Sequence, residues 1–242
     1  MSRVIEVLAD QQKLIERSLD LVCGQIRTAI AEREVCTLVL AGGNTPKPLY
    51  QAISEQSLPW EKIHIFWGDE RYVPAEHPDS NQKMAREAWL NRVKIPPSNI
   101  HQMPTGSGNP LLDAEKYEQE ILEFFDSSGG VFPHFDIVLL GMGDDGHTAS
   151  LFPHTQALQV NDRLVTVGNK DGQPRLTLTF PLLNQARCVI FLVTGENKRP
   201  ALAQIFAPKT DPLTYPASLI QPLNGQLFWL LDYSAGAEIK TQ

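Results

Sequence analysis

At 242 residues, with 42% apolar and 20% charged side chains, the chain is long enough to bury a sizeable core, and its composition excludes bulk disorder. A net charge of −7 disfavours nucleic acid or an anionic membrane as the main partner, so a bound phosphate would need a local cluster of donors. The three cysteines, Cys23, Cys36 and Cys188, form no CxxC pair, and no apolar run reaches the roughly 18 residues of a membrane span. The first residues, MSRVIEVLADQQK, lack the apolar core and cleavage site of a secretory signal. A reducing, cytoplasmic setting is therefore expected.

Strand-like and helix-like patterns alternate along the chain. After an apolar stretch at Val4–Leu8, Asp10 is placed to cap a long helix whose apolar positions Leu14, Ile15, Leu19, Val22, Ile26 and Ile30 keep helical spacing. A strand over 36–41 leads through Gly42-Gly43 into a helix from about Pro46. A second strand, over 62–67, ends at Gly68-Asp69-Glu70-Arg71. A helix is expected over 79–93 with Ser80 or Asn81 near its cap, then a Pro/Gly/Ser-rich loop over 99–110 and a helix over 111–125. Ile137-Val138-Leu139-Leu140 is a short continuous apolar run, as in a strand covered on both faces of a parallel sheet. Beyond it come strands over 164–167 and 175–180, a buried strand over 187–194 leading into a helix, and a last strand over 226–231. This alternation predicts one α/β domain with a mainly parallel open sheet, helices on both faces and small additional strands.

Four strand ends carry unusual loops. In the first, Gly42, Gly43, Asn44 and Thr45 precede a helix, so free backbone N–H groups and a hydroxyl form either a phosphate cradle or a plain tight turn. In the second, Arg71 is a partner for a substrate oxygen and Asp69 for an imidazole or a water, unless the segment is a surface ion-pair cluster. In the third, Gly141, Gly143 and Gly146 let the chain turn, and His147 follows where a helix is expected to start. An imidazole there is either an acid/base or the cap of a turn. In the fourth, Lys198 opens a helix and is either a point charge for phosphate or a solvated lysine.

Other chemistries drop out. Gly141-x-Gly143-x-x-Gly146 matches a dinucleotide fingerprint, but Asp144 and Asp145 would confront a pyrophosphate with negative charge. HExxH, zinc-spaced Cys/His, GxSxG and GxxxxGK[ST] are all absent from the sequence, so no metal, nucleotide or other cofactor is expected.

From AGGNTP through WGDERYVP, DSN, GMGDDGHTASLFP and RLTLTFPLLN to GENK, the chain resembles the 6-phosphogluconolactonase family. The wider superfamily of parallel α/β sugar-phosphate binders includes glucosamine-6-phosphate deaminase and ribose-5-phosphate isomerase. The resemblance implies a Rossmann-like fold. It also implies hydrolysis of a sugar-phosphate lactone, 6-phospho-D-glucono-1,5-lactone, to 6-phosphogluconate in the oxidative pentose phosphate pathway. It gives His147 the role of general base and Arg71 that of holding the anionic end or polarising the carbonyl, with Asp69 beside them. Gly42, Gly43, Asn44, Thr45, Gly143 and Lys198 fall where the family binds substrate and phosphate. The chain departs from the family at Ala41 and Asn44, where many members carry serine, and at Asp144, where proline is frequent. Oxyanion stabilisation is expected from backbone N–H groups between Gly141 and Gly146. The alternatives are a deaminase or isomerase using Asp69 as base, or a sugar-phosphate sensor without turnover. The deaminase pattern has tyrosine after Asp-Glu and a GHIAFNEP-like segment, whereas this chain has Arg71 and TASLF. A monomer or weak oligomer is expected.

Overall fold

The computed structural model describes residues 2–127 and 131–239. Strand β1 (Ser2–Leu8) is longer than its apolar stretch, because it pairs along its whole length with the last strand. Asp10 then caps helix α1 (Gln11–Arg33), accepting Lys13 N–H at 2.8 Å, a bond that contributes about 1 kcal/mol. The helix ends where Glu34 turns left-handed, and it buries Leu14, Val22, Ile26 and Ala29. Next come β2 (Cys36–Leu40), α2 (Lys47–Ser54), β3 (Ile63–Trp67) and the short β4 (Asp69–Arg71). Helix α3 (Asn81–Ala88) is capped by Ser80 and shorter than expected, since the chain leaves helical geometry at Trp89. Helix α4 (Pro110–Phe124) starts from an Asn109 cap. Strands β5 (Ile137–Leu140), β6 (Val165–Lys170) and β7 (Gln173–Leu178) follow, then a single helical turn α5 (Phe180–Leu183). The chain finishes with β8 (Cys188–Val193), α6 (Arg199–Ile205), β9 (Gln226–Asp232) and α7 (Tyr233–Gly236).

The main sheet is six-stranded and parallel, in the order β1-β9-β8-β5-β2-β3. Every residue of β2, β5 and β8 is buried, as a parallel sheet covered on both faces requires. Cys36 and Cys188 sit in these strands as buried apolar groups, and Cys23 is buried in α1. A second, antiparallel sheet in the order β4-β7-β6 packs against α4. The DER segment is thus the edge strand of a small sheet rather than a loop, and Arg71 lies opposite Arg175 in its register.

From β2 the chain moves outward to β3, whereas β5, β8 and β9 build outward on the other side of β2. The sheet therefore reverses its direction of growth between β2 and β5. Parallel α/β sheets form a crevice outside the carboxyl ends of the strands at such a point. The loops leaving these two strands are the Gly42-Gly43 loop and the His147 loop. No helix among the described residues is long and apolar enough to cross a membrane.

Candidate active site

The loop after β2 is held at its base by Tyr50, whose hydroxyl accepts from Ala41 N–H at 3.0 Å and donates to Ala41 C=O at 2.8 Å. Beyond this clamp, Gly43 takes a left-handed conformation with φ of 91°, open to glycine at little cost. Gly42 is required for a different reason: a Cβ there would lie 1.9 Å from Asn81 Oδ1. The backbone N–H groups of residues 42–45 have no hydrogen-bond partner among the described residues, and they lead into α2. Thr45 Oγ1 lies 3.2 Å from Thr194 Oγ1 and ties this loop to the one after β8. Asn44 is exposed, so its side chain does not brace the loop.

The three residues of β4 have separate tasks. Glu70 is only 1% exposed and accepts N–H groups from Arg71, Asn81 and Gln82, each at 2.8 Å, together with the Ser80 hydroxyl at 3.1 Å. It anchors the start of α3, and burial raises its pKa. It is no surface ion pair. Asp69 does not reach His147: its carboxylate accepts the Ser150 hydroxyl at 2.6 Å, and its backbone C=O accepts Asn81 Nδ2 at 2.8 Å. Asn81 in turn accepts from Arg71 Nη1 at 2.5 Å, and Asp79 C=O accepts from the same nitrogen at 2.8 Å. The buried polar set Asp69–Ser150–Asn81 therefore aims the Arg71 guanidinium.

The imidazole is oriented by Asp145, a neighbour whose charge in the sequence points only to the exclusion of a pyrophosphate. Asp145 Oδ1 lies 2.5 Å from His147 Nδ1 and accepts His147 N–H at 3.0 Å. Burial acts to raise the Asp145 pKa, but the hydrogen bonds from His147 and the charge of Lys170 prevail and hold it at about 2. An ionised Asp145 accepts the Nδ1–H hydrogen bond and so leaves Nε2 as the basic nitrogen. The signal was present in the sequence as a carboxylate two residues before a histidine across a glycine.

One expectation about this loop is corrected. His147 does not open a helix: a turn follows, with a Thr148–Leu151 bridge and Ala149 left-handed at φ 47°. The reason is that Ser150 N–H and its hydroxyl are drawn instead to Thr177 and Asp69. Of the loop amides, two are already engaged: Gly143 N–H donates to His147 C=O at 2.9 Å and Gly146 N–H to Gly143 C=O at 3.2 Å. Gly143 serves the site sterically, since a Cβ there would fall 2.1 Å from His147 Nδ1.

After β8, Gly195 N–H is held by Asp232, and Lys198 stands at the cap of α6. Gly42, Gly43, Asn44, Thr45, Asp69, Arg71, Gly143, His147 and Lys198 all line one cleft of about 240 Å³. Arg175 joins them there, whereas Arg163 is engaged with Glu118 away from the cleft. The alternating pattern of RLTLTF could have flagged Arg175, but only the β4–β7 register places it beside Arg71. Among the described residues, no group of three or more His, Cys, Asp and Glu side chains is arranged to hold a metal ion.

The comparisons with known proteins agree with this geometry. Residues 9–229 match the family model for glucosamine-6-phosphate isomerases/6-phosphogluconolactonase. The chain is 62% identical to a 6-phosphogluconolactonase of Nostoc sp., covering 99% of both chains, and 61% identical to one of Synechocystis sp., covering 99% of this chain and 100% of the other. The crystal structure of 6-phosphogluconolactonase from Thermotoga maritima superposes with a TM-score of 0.84 at 35% identity, over 96% of this chain and 100% of that one. The enzyme from Trypanosoma brucei gives a TM-score of 0.86 at 30% identity, over 99% of both. With the motifs, the sheet order and the relatives in accord, the chain belongs to the glucosamine-6-phosphate isomerase/6-phosphogluconolactonase family and, within it, to the 6-phosphogluconolactonase enzymes.

Proposed function

We propose that this enzyme hydrolyses 6-phospho-D-glucono-1,5-lactone to 6-phospho-D-gluconate, with His147 as general base. The observation that carries the reading is the Asp145–His147 pair in a cleft that also holds Lys198 and the unpartnered amides of residues 42–45. The amides and Lys198 take the phosphate, since amides at a helix start and a lysine are suited to a dianion. His147 Nε2 removes a proton from water as the water oxygen bonds to the lactone carbonyl carbon. The resulting imidazolium is stabilised by Asp145. It returns the proton to the ring oxygen as the carbon–oxygen bond of the ring breaks, giving a free hydroxyl and a carboxylic acid, which releases the second water proton to solvent to become the carboxylate. Arg71 and Arg175, which line the same cleft, supply cationic donors to the developing oxyanion. A δ-lactone is an activated ester, so a tuned base and charge stabilisation suffice without a covalent nucleophile.

Asp69, the carboxylate that a deaminase or isomerase reading would use as base, is engaged by the Ser150 hydroxyl at 2.6 Å, which supports the lactonase reading over that alternative. The test is hydrolysis of freshly prepared 6-phosphogluconolactone with the spontaneous rate subtracted. Turnover above background in the wild type and near background in His147→Ala is expected; equal turnover in both would remove His147 as the base. Binding of 6-phosphogluconate with no turnover in the wild type would favour a sensor.

A further inference from the structure

Phe152 lies five residues beyond His147, is 5% exposed and has no part in the mechanism above. Its ring nevertheless meets three groups of the site. The His147 ring packs on it with centroids 4.4 Å apart and planes at 43°. Arg175 Cζ lies 5.5 Å from the ring centroid and Lys170 Nζ 5.6 Å, both within cation–π range. These groups come from different elements: Lys170 ends β6, Arg175 lies in β7, and His147 belongs to the loop after β5.

The contacts leave the imidazole bounded on three sides. Asp145 fixes Nδ1, the bare Cα of Gly143 lies against the Nδ1 and Cε1 edge, and the Phe152 ring packs on the imidazole. A hydrogen bond at one nitrogen still permits rotation about its own axis, so Asp145 alone does not set the plane in which Nε2 points. A packed aromatic surface does. The π face also tolerates positive charge, which suits a neighbour that is transiently an imidazolium and two that are permanent cations.

We infer that Phe152 is a positioning residue for the reaction, holding the plane of the His147 imidazole and the head of Arg175 through one aromatic ring. The inference rests on the lactonase reading and deepens it by naming how the base is held. It requires aromaticity at this position beyond apolar bulk. Misplacing a base by about 1 Å can cost up to about a hundredfold in rate, so the effect belongs in kcat.

The experiment compares wild type, Phe152→Leu and Phe152→Tyr in lactone hydrolysis, with binding of 6-phosphogluconate measured in parallel. Phe152→Leu is expected to lower kcat by about tenfold or more and to change KM by less than about threefold. Phe152→Tyr, which keeps the π face, is expected to recover most of the lost kcat. Should Phe152→Leu not fold, Phe152→Met fills the same space with a flexible thioether and takes its place. A folded aliphatic variant with wild-type kcat, or a folded tyrosine variant as slow as the aliphatic one, would overturn the inference while leaving the lactonase reading intact. Absence of turnover in the wild type itself would overturn both, and the two failures are told apart by that control.

Discussion

Asp145 accepts two hydrogen bonds from His147, one from the backbone N–H at 3.0 Å and one at the ring Nδ1 at 2.5 Å. One carboxylate thus fixes both the chain and the side chain of the residue that follows it by two. Gly146 lies between them at a φ of 79°, a left-handed conformation that lets the loop close on itself. Its C=O accepts Ala217 N–H at 2.9 Å, so the segment before β9 braces the loop from outside.

Asp145→Asn should therefore cost more in kcat than in KM. An amide can present its NH2 to Nδ1, which favours the tautomer with the wrong nitrogen protonated. A fall in kcat on the order of 10- to 100-fold is expected, with KM within about threefold. Steady-state kinetics on the lactone check this, and an unchanged kcat would return the role of orienting the base to another group.

The same carboxylate ties stability to pH. Burial favours its neutral form, but the His147 hydrogen bonds and Lys170 outweigh burial and hold the folded-state pKa at about 2, below the ordinary 3.8. The folded state then binds fewer protons than the unfolded state in that interval. The contribution is complete above about pH 4 and is lost as pH falls towards 2. The stability gap between wild type and Asp145→Asn, read from urea unfolding, should narrow between about pH 7 and about pH 3. A gap that stays constant would contradict the depressed pKa.

Gly42→Ala should damage the site from a distance. Its Cβ would fall 1.9 Å from Asn81 Oδ1, the atom that accepts from Arg71. Displacing Asn81 releases the guanidinium, and a loss of about 10-fold or more in kcat/KM is expected with the fold retained. The variant's circular dichroism spectrum and its kcat/KM give the two halves of that statement; a fully active Gly42→Ala would show that Asn81 is free to move without consequence.

Lys198→Ala should act on binding alone. Removing one cation from a phosphate contact costs about 1.5–3 kcal/mol, or roughly 10- to 100-fold in the affinity for 6-phosphogluconate. Calorimetric titration measures it directly. An unchanged dissociation constant would make Lys198 a solvated lysine at the start of α6.

Glu70→Ala should act on folding. It strips the acceptor from three backbone N–H groups and a buried hydroxyl at the entry to α3, a loss of about 2–4 kcal/mol. Denaturant unfolding reads the loss, and a change below about 1 kcal/mol would mean that water replaces the carboxylate without penalty.

Taken by itself, the sequence determined the class of fold and which loops carry the candidate site. Short continuous apolar runs such as Ile137–Leu140 read as strands covered on both faces, and their alternation with helical patterns points to a parallel sheet. Glycines and charged residues at the ends of four such runs were legible as candidate loops, because parallel strands expose their carboxyl ends together. Tertiary structure decided which side chains meet. Chemistry allows the Asp69 carboxylate to orient an imidazole or a water, but the Ser150 hydroxyl claims that carboxylate and Asn81 the backbone C=O, across 81 and 12 residues of chain. The expected helix after His147 gives way to the same long-range bonds. Arg175 reaches Arg71 only through an antiparallel register, and Phe152 reaches His147, Arg175 and Lys170 only through packing. Local patterns record which faces are buried, since burial follows the period of helix and strand. Hydrogen-bond partners are chosen among groups far apart in sequence, by a competition that only the folded arrangement resolves.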